Sequence, residues 1–220
     1  MTYQVYGTSV SPFVRKVLVY LTEKNISFEN EPVNPFAPPD NYREISPLGK
    51  IPALRDGDNT LADSSVICQY LERKHAAPAM YPSDDYDYAN ALWIEEFIDG
   101  GFVPKAGGNV FFPLVVAPKM MQQPVTDEVR AAVEKSLAEE IQPMWDYLES
   151  EIGGKDYFVG DSLTIADIAV ASIHVNLYHA GIDVDADKLP NLARFIQSMH
   201  SRPSFANLIS EETPMWSVRE

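Results

Sequence analysis

Cysteine is almost absent from this chain, which has only Cys68 in 220 residues. A single cysteine cannot form a disulfide within the chain, so the composition suits a reducing compartment and predicts a cytoplasmic location. Basic residues are scarce as well, since 17 Lys and Arg face 32 Asp and Glu and the net charge is −15. Nucleic-acid binding needs cations along the phosphate backbone, so we expect no nucleic acid among the partners.

Long apolar runs are also lacking. The longest apolar stretches, residues 110–117 and 165–173, are short and contain Pro113 and Asp167. A helix that spans a bilayer needs about 20 apolar residues. The first six residues do not combine a basic region with an apolar run, as a secretory signal would. We therefore expect neither a membrane partner nor a secretion signal.

The common catalytic and metal-binding motifs are missing. The sequence contains no Gly-x-Ser-x-Gly elbow, no phosphate-binding loop, no His-Glu-x-x-His pair and no cysteine pair. His174 and His179 are five residues apart, which puts them on different sides of a helix, so we predict no metal site there. Cys68 lies among apolar residues of a predicted helix and is interpreted as a buried structural thiol.

The acidic charge is concentrated in the second part of the chain. Residues 1–82 carry 8 basic and 9 acidic side chains, whereas residues 83–220 carry 9 and 23. Between them, residues 76–82 contain Pro78 and Pro82 among small side chains, a composition typical of a linker. The nearly neutral first segment is where an anionic small molecule could bind with the least repulsion.

The first segment changes its apolar period repeatedly, which predicts an α/β domain. A helix is favoured after Pro12, because the apolar side chains recur there at three- and four-residue spacing, and Asp56-Gly57 favours a hairpin turn. The predicted elements, in chain order, are a strand in 2–7, a helix from 12, a strand in 26–33, a short helical piece near 42–45, strands in 52–54 and 60–62, and a helix over 64–74.

The second segment has almost no strand pattern and predicts an all-helical bundle. Apolar residues recur at helical spacing over 129–152, with a kink expected at Pro143, and again over 189–199. Thr164 and Asp167 have the spacing of a capping box, which predicts that a helix begins there. Residues 209–220 follow the last helical pattern and are predicted to form a tail that packs on the protein.

Two short motifs could carry chemistry. Ser11-Pro12-Phe13 follows the first strand and suits a helix start, with Ser11 as the cap, but the same hydroxyl and helix terminus also favour an anion. Residues 47–54 (Pro-Leu-Gly-Lys-Ile-Pro-Ala-Leu) are followed by Asp63-Ser64. By composition these are a turn, a strand and a cap, and the Ile51–Pro52 bond has only about a 5–6% chance of being cis.

Taken in this order and spacing, these motifs resemble the cytosolic glutathione S-transferase family, in its serine-type, tau-like or bacterial Ser-Pro-Phe form. The resemblance implies a thioredoxin-like domain over residues 1–77, a linker over 78–85, an all-helical domain over 86–208 and a homodimer. It also implies that Ser11 is catalytic, donating its hydroxyl to the sulfur of glutathione and keeping that sulfur as a thiolate.

The resemblance further implies a set of glutathione-binding residues. Ile51 would pair its backbone with the cysteinyl part of glutathione, which requires the bond to Pro52 to be cis. Asp63 and Ser64 would hold the γ-glutamyl end, and Lys50 would face the glycine carboxylate. These residue types suit a ligand with two carboxylates and one ammonium group. Glutathione is thus the expected cosubstrate, and no metal is expected.

The second substrate is expected to be a small apolar electrophile held by the helical domain. Candidate lining residues are Phe102, Lys105 and Asn109, together with Phe97 and Phe111, although aromatic residues at helical spacing are more often core. Two alternatives stay open. One is a glutathione-dependent isomerase, dehalogenase or peroxidase on the same fold, and the other is a non-catalytic interaction protein. Thiol transfer is less favoured because position 11 is serine.

Overall fold

The computed structural model describes residues 2–219. Its chain divides into two compact units, Met1–Tyr81 and Pro82–Glu220. The boundary lies inside the linker predicted at 78–85, and the first unit extends four residues beyond the predicted end at residue 77. No helix among residues 2–219 is both long enough and apolar enough to cross a bilayer.

The first unit is a four-stranded mixed sheet with helices, as in thioredoxin. Strand β1 pairs in parallel with β2 and antiparallel with β3, β3 pairs antiparallel with β4, and the strand order is β2-β1-β3-β4. The elements are β1 (Tyr3–Tyr6), α1 (Pro12–Glu23), β2 (Phe28–Glu31), a 3₁₀ turn (Asp40–Glu44), β3 (Ala53–Asp56), β4 (Asn59–Ala62) and α2 (Ser64–Lys74). The element order predicted from the sequence is confirmed.

Local chemistry accounts for the main turns of this unit. The β3–β4 hairpin turns at Gly57-Asp58, where Gly57 has φ +60°, a conformation that glycine adopts without steric penalty. Helix α1 is held to α2 through Glu72, whose Oε2 accepts hydrogen bonds from Tyr20 at 2.5 Å and Lys24 at 2.6 Å. Because Lys24 is buried, this ion pair compensates a charge that would otherwise lack solvation.

The second unit is helical throughout its regular structure in the described residues. Its α-helices are α3 (Asp85–Glu96), α4 (Val103–Lys105), α5 (Ala117–Met121), α6 (Asp127–Ser136), α7 (Gln142–Ile152), α8 (Ile165–His179), α9 (Pro190–His200) and α10 (Pro203–Trp216). Helix α8 forms the centre of the core, since nearly all of its side chains are buried. The expected capping box is present, with the Thr164 amide donating to Asp167 at 2.7 Å.

Three π-helical segments interrupt these helices, and the sequence analysis did not anticipate them. They are Phe97–Phe102, Ala106–Val116 and Leu137–Ile141. Each ends two residues before a proline, namely Pro104, Pro118 and Pro143. A proline has no N–H for the carbonyl four residues earlier and its ring crowds that carbonyl, so a widened turn relieves the conflict. The kink expected at Pro143 therefore takes the form of a π segment between α6 and α7.

The C-terminal segment differs from the predicted tail. Residues 209–216 are the last turns of α10, which continues through Pro214 to Trp216. Only the residues after α10 are irregular, and there the Val218 amide donates to the His179 carbonyl at the end of α8, at 2.8 Å. Helix α10 also approaches α8 through Glu212, whose Oε2 lies 3.0 Å from His179 Nε2. The segment thus packs on the protein, as expected, but within the helical unit.

Candidate functional site

A cleft of about 380 Å³ opens on the first unit beside α1 and the loop before β3. Five of the six site residues predicted for this unit line it: Lys50, Ile51, Pro52, Asp63 and Ser64. The remaining lining residues are Phe13, Ser46, Pro47, Leu48 and Ala62. The cleft combines one cation and one carboxylate with an apolar surface, which suits a small zwitterionic ligand.

Gly7 lets the parts of this cleft approach one another at the end of β1. A Cβ atom at Gly7 would lie 2.6 Å from Val14 Cγ2 of α1 and 3.0 Å from Ile51 Cβ. Its φ of +141° is also one that residues with a side chain rarely adopt. Glycine is therefore required for α1 and the Ile51 loop to pack this closely.

The loop that carries Lys50 and Ile51 has a defined backbone. The Ile51–Pro52 peptide is cis, as the family resemblance requires. The carbonyl of Lys50 accepts two hydrogen bonds, from the Ser46 hydroxyl at 2.7 Å and from the Tyr42 hydroxyl at 3.1 Å. Gly49 turns the loop with φ +69°. The Lys50 side chain itself is exposed and lines the cleft.

Asp63 and Ser64 lie where α2 begins. Asp63 is the cap residue, and its Oδ1 accepts hydrogen bonds from the amides of Ser65 at 3.0 Å and Val66 at 3.2 Å. Its backbone has φ +81°, an uncommon conformation for aspartate that directs an exposed carboxylate at the cleft edge. Ser64 is buried beside it. A ligand amine could approach the carboxylate while it still caps the helix.

Ser11 occupies the cap position of α1 with an extended backbone, φ −68° and ψ 126°. The predicted cap position is confirmed, although the Ser11 hydroxyl makes no capping hydrogen bond to the described amides of α1. Ser11 is half-buried and is not among the described residues that line the cleft, whereas Phe13, two residues later, is. The α1 terminus thus borders the cleft through Phe13.

Three of the five second-substrate candidates, Phe102, Lys105 and Asn109, occupy two different environments in the helical unit. Phe102 has no exposed surface, and its ring stacks on His174 with centroids 5.3 Å apart. Lys105 and Asn109 both bind Glu140, at 2.7 and 2.8 Å. The bond from Lys105, followed by those from Ser136 and Asn109, lowers the pKa of Glu140 to about 2. Phe102 therefore has the surroundings of a packing residue, and the other two belong to a polar cluster.

Asn109 and Glu140 also line a cleft of about 550 Å³, with Lys135, Ser136 and Glu139 on its walls. Pro113 and Ala132 complete the lining, so the walls combine charged and polar groups with apolar surface. Among residues 2–219, no group of three or more His, Cys, Asp or Glu side chains is arranged to hold a metal ion.

Comparison with known proteins decides the family. Residues 5–79 match the N-terminal domain of glutathione S-transferases, and residues 108–203 match the C-terminal domain. Glutathione S-transferase F13 of Arabidopsis thaliana is 31% identical over 93% of this chain and 94% of its own. This chain is a member of the glutathione S-transferase family. Its two units are the glutathione S-transferase N- and C-terminal domains.

Solved glutathione S-transferases share the architecture. A bacterial transferase from Methylobacterium radiotolerans, determined in complex with glutathione sulfonate, is 27% identical, with a TM-score of 0.77 and 95% coverage of both chains. Another from Rhodospirillum rubrum has a TM-score of 0.84 and 24% identity, covering 94% of this chain and 91% of its own, and this likeness shows the fold alone.

Sequence reasoning missed several residues that line or support this transferase's cleft. Tyr42 was seen only as part of a short helical piece, and Ser46 was not singled out, although both bind the Lys50 carbonyl. Gly7 was interpreted as a strand end and not as the contact point of α1 and Ile51. The signal available for Ser46 was a polar residue directly before Pro47-Leu48-Gly49, which favours a turn stabilised by its side chain.

Proposed function

We propose that this glutathione S-transferase is a serine-type enzyme that binds glutathione in the cleft of its first unit and conjugates it to small apolar electrophiles. Ser11 donates its hydroxyl to the sulfur and stabilises the thiolate, which then attacks an electrophilic carbon. The observation that carries the proposal is the cleft itself, where Lys50, Ile51 and Asp63 come together.

The charges of the cleft match those of glutathione. Lys50 offers an exposed ammonium group for the glycine carboxylate, and Asp63 offers an exposed carboxylate for the γ-glutamyl amine. The Ile51 amide and carbonyl, in a loop fixed at Lys50, can pair with the cysteinyl backbone between these two ends. The glutathione sulfonate complex of the related bacterial enzyme supports the same ligand class.

Ser11 has the chemistry needed to activate the thiol. A free thiol with a pKa of about 8.5 is a few per cent ionised at neutral pH, and lowering that pKa by two units requires about 2.7 kcal/mol. A hydrogen bond to a charged sulfur supplies about 1.5–3 kcal/mol, and the start of α1 about 0.3–1 kcal/mol more. The Ser11 oxygen accepts no capping hydrogen bond from an α1 amide, and its O–H can donate to the sulfur.

The test is glutathione conjugation by the Ser11→Ala variant. Losing the sulfur hydrogen bond should lower kcat/KM at pH 6.5 by roughly 10- to 100-fold with little change in glutathione binding. Ser9→Ala removes a neighbouring hydroxyl outside the helix cap and serves as the matched control, with activity close to that of the native protein. Native protein that neither binds nor conjugates glutathione would refute the proposal.

Thiol-transfer chemistry fits the chain less well. Position 11 is serine, and Cys68, the single cysteine, is buried in α2. The second-substrate residues stay a prediction. Phe102 is fully buried, whereas Lys105 and Asn109 lie in a polar cluster, surroundings that do not match an apolar electrophile.

We also propose a cytoplasmic homodimer. Large apolar side chains are exposed on both units, including Leu48 and Val66 on the first and Tyr86 and Trp93 on the second. Leu48, at 76% exposure, is an expected interface residue because so exposed a leucine is easily covered by a second copy. Sedimentation should show a dimer that Leu48→Arg weakens, and a native monomer would contradict this proposal.

A further inference from the structure

Two buried hydroxyl groups converge on one backbone atom next to the candidate glutathione cleft. The Ser46 hydroxyl donates to the Lys50 carbonyl at 2.7 Å, and the Tyr42 hydroxyl donates to the same oxygen at 3.1 Å. Both residues are buried, since Ser46 has no exposed surface and Tyr42 is 2% exposed. The Lys50 carbonyl belongs to the peptide unit that joins Lys50 to Ile51.

The two donors come from a short segment that is itself well anchored. The Ser46 amide donates to the Tyr42 carbonyl at 2.9 Å, which fixes one residue relative to the other. Tyr42 packs in a core cluster with Tyr6, Val33 and Ala53. Burial raises the pKa of the Tyr42 phenol, so it stays protonated and able to donate at neutral pH.

This arrangement fixes the orientation of the Lys50–Ile51 peptide. The carbonyl and the Ile51 amide belong to the same planar unit, so holding the oxygen also sets the direction of the N–H. Two hydrogen bonds from buried side chains constrain the plane more tightly than one, and neither bond depends on a ligand. The Lys50 side chain departs from the same backbone and lines the cleft.

We propose that Tyr42 and Ser46 are positioning residues for glutathione, acting through the Lys50 carbonyl to preset the Ile51 backbone and the Lys50 side chain. The inference rests on the proposed function, since it assigns these groups to glutathione binding. Preorganisation of this kind strengthens binding in the ground state and the transition state alike. Its loss therefore raises KM for glutathione and leaves kcat nearly unchanged.

The experiment uses the full chain with Tyr42→Phe, Ser46→Ala and the double variant. Glutathione binding is measured by calorimetry, and KM and kcat are measured with an electrophile at saturation. We expect KM for glutathione to rise roughly threefold in each single variant and roughly tenfold or more in the double variant, because either hydroxyl alone still holds the carbonyl. The KM for the electrophile should not change.

Tyr6→Phe is the matched control. Tyr6 belongs to the same core cluster, and its ring lies 6.4 Å from that of Tyr42, but its hydroxyl donates to Gln4 at 2.9 Å and not to the loop. This variant removes the same group from the same aromatic cluster and should leave KM for glutathione unchanged. Thermal unfolding of every variant shows whether the fold is retained.

The outcomes separate this inference from the proposed function. Native protein without glutathione binding would overturn both. Native protein that binds glutathione, together with variants that behave like Tyr6→Phe, would overturn only the positioning role. A fall in kcat at unchanged KM would also overturn it, because that pattern indicates an effect on the thiolate. A rise in KM confined to the Tyr42 and Ser46 variants would support it.

Discussion

His174 provides a pH-dependent test of how the helical unit is stabilised. Its ring is buried in α8, where the Trp145 indole donates to Nε2 at 2.9 Å and Nδ1 lies 2.7 Å from the Val170 carbonyl. This geometry fits a neutral ring with its proton on Nδ1. A second proton on Nε2 would face the indole N–H. Burial is the main cause that lowers the His174 pKa to about 4.

The sign and size of the effect follow from this pKa. The folded value lies below the ordinary 6.5, so the stabilising contribution is complete above pH 6.5 and is lost as the pH falls toward about 4. Between these pKa values the unfolded chain binds a proton that the folded chain does not. At pH 5 the contribution of His174 to the free energy of unfolding is about 2 kcal/mol smaller than at neutral pH.

Asp167 opposes this trend and must be separated from it. Burial, partly offset by hydrogen bonds from Phe158 and Thr164, raises its pKa to about 6. A carboxyl group whose pKa is higher in the folded state makes the protein more stable as the pH falls from about 6 toward 3.8. The two buried groups therefore partly cancel in the native protein, and only a comparison of variants isolates the histidine.

The assay is urea unfolding of the native protein and His174→Gln at pH 7 and pH 5, followed by tryptophan fluorescence. All three tryptophans, at positions 93, 145 and 216, lie in the helical unit and report on it. Glutamine does not titrate, so the stability advantage of the native protein should shrink by about 2 kcal/mol at pH 5. An advantage that is equal at both pH values would refute the reasoning.

Two further predictions concern the packing of each unit. Gly7→Ala should destabilise the protein by about 1–3 kcal/mol and raise KM for glutathione, because the new Cβ would displace Val14 or Ile51. A variant as stable as the native protein in urea unfolding would contradict this prediction. Glu140→Gln should lower the melting temperature at low salt, because it removes the ion pair with Lys105. The difference in melting temperature between native protein and variant should shrink near 1 M salt, where such pairs are screened. A difference that does not depend on salt would contradict this prediction.

Much of the fold could be predicted because its determinants are local. The change from strand to helix at Pro12, the Gly57 turn and the Thr164 capping box each depend on residues close together in the chain. The π segments could not be predicted from apolar spacing. An α-helix has 3.6 residues per turn and a π-helix slightly more, and the two periods are indistinguishable over one or two turns. Helix α10 takes in residues 209–216, which were predicted as a tail, because packing against α8 offsets the helix-breaking effect of Pro214.

The residues of the candidate site also differ in how far the local sequence predicts them. The composition around Asp63 and Ser64 predicted a helix start, and only the family resemblance implied that these two residues bind glutathione. The cis state of Ile51–Pro52 depends on tertiary surroundings, and only the family resemblance pointed to it. The bond from the Tyr42 hydroxyl to the Lys50 carbonyl joins residues eight positions apart, a relation that neither helical nor strand periodicity encodes.

The central claim is that the Ser11 hydroxyl stabilises the thiolate of bound glutathione. The most direct measurement is titration of the glutathione thiol in the complex, followed by thiolate absorbance in the ultraviolet. In the native complex the thiol pKa should lie about one to two units below the value of about 8.5 for a free thiol, and in Ser11→Ala it should return toward that value. A native complex whose thiol titrates as free glutathione does would contradict the account.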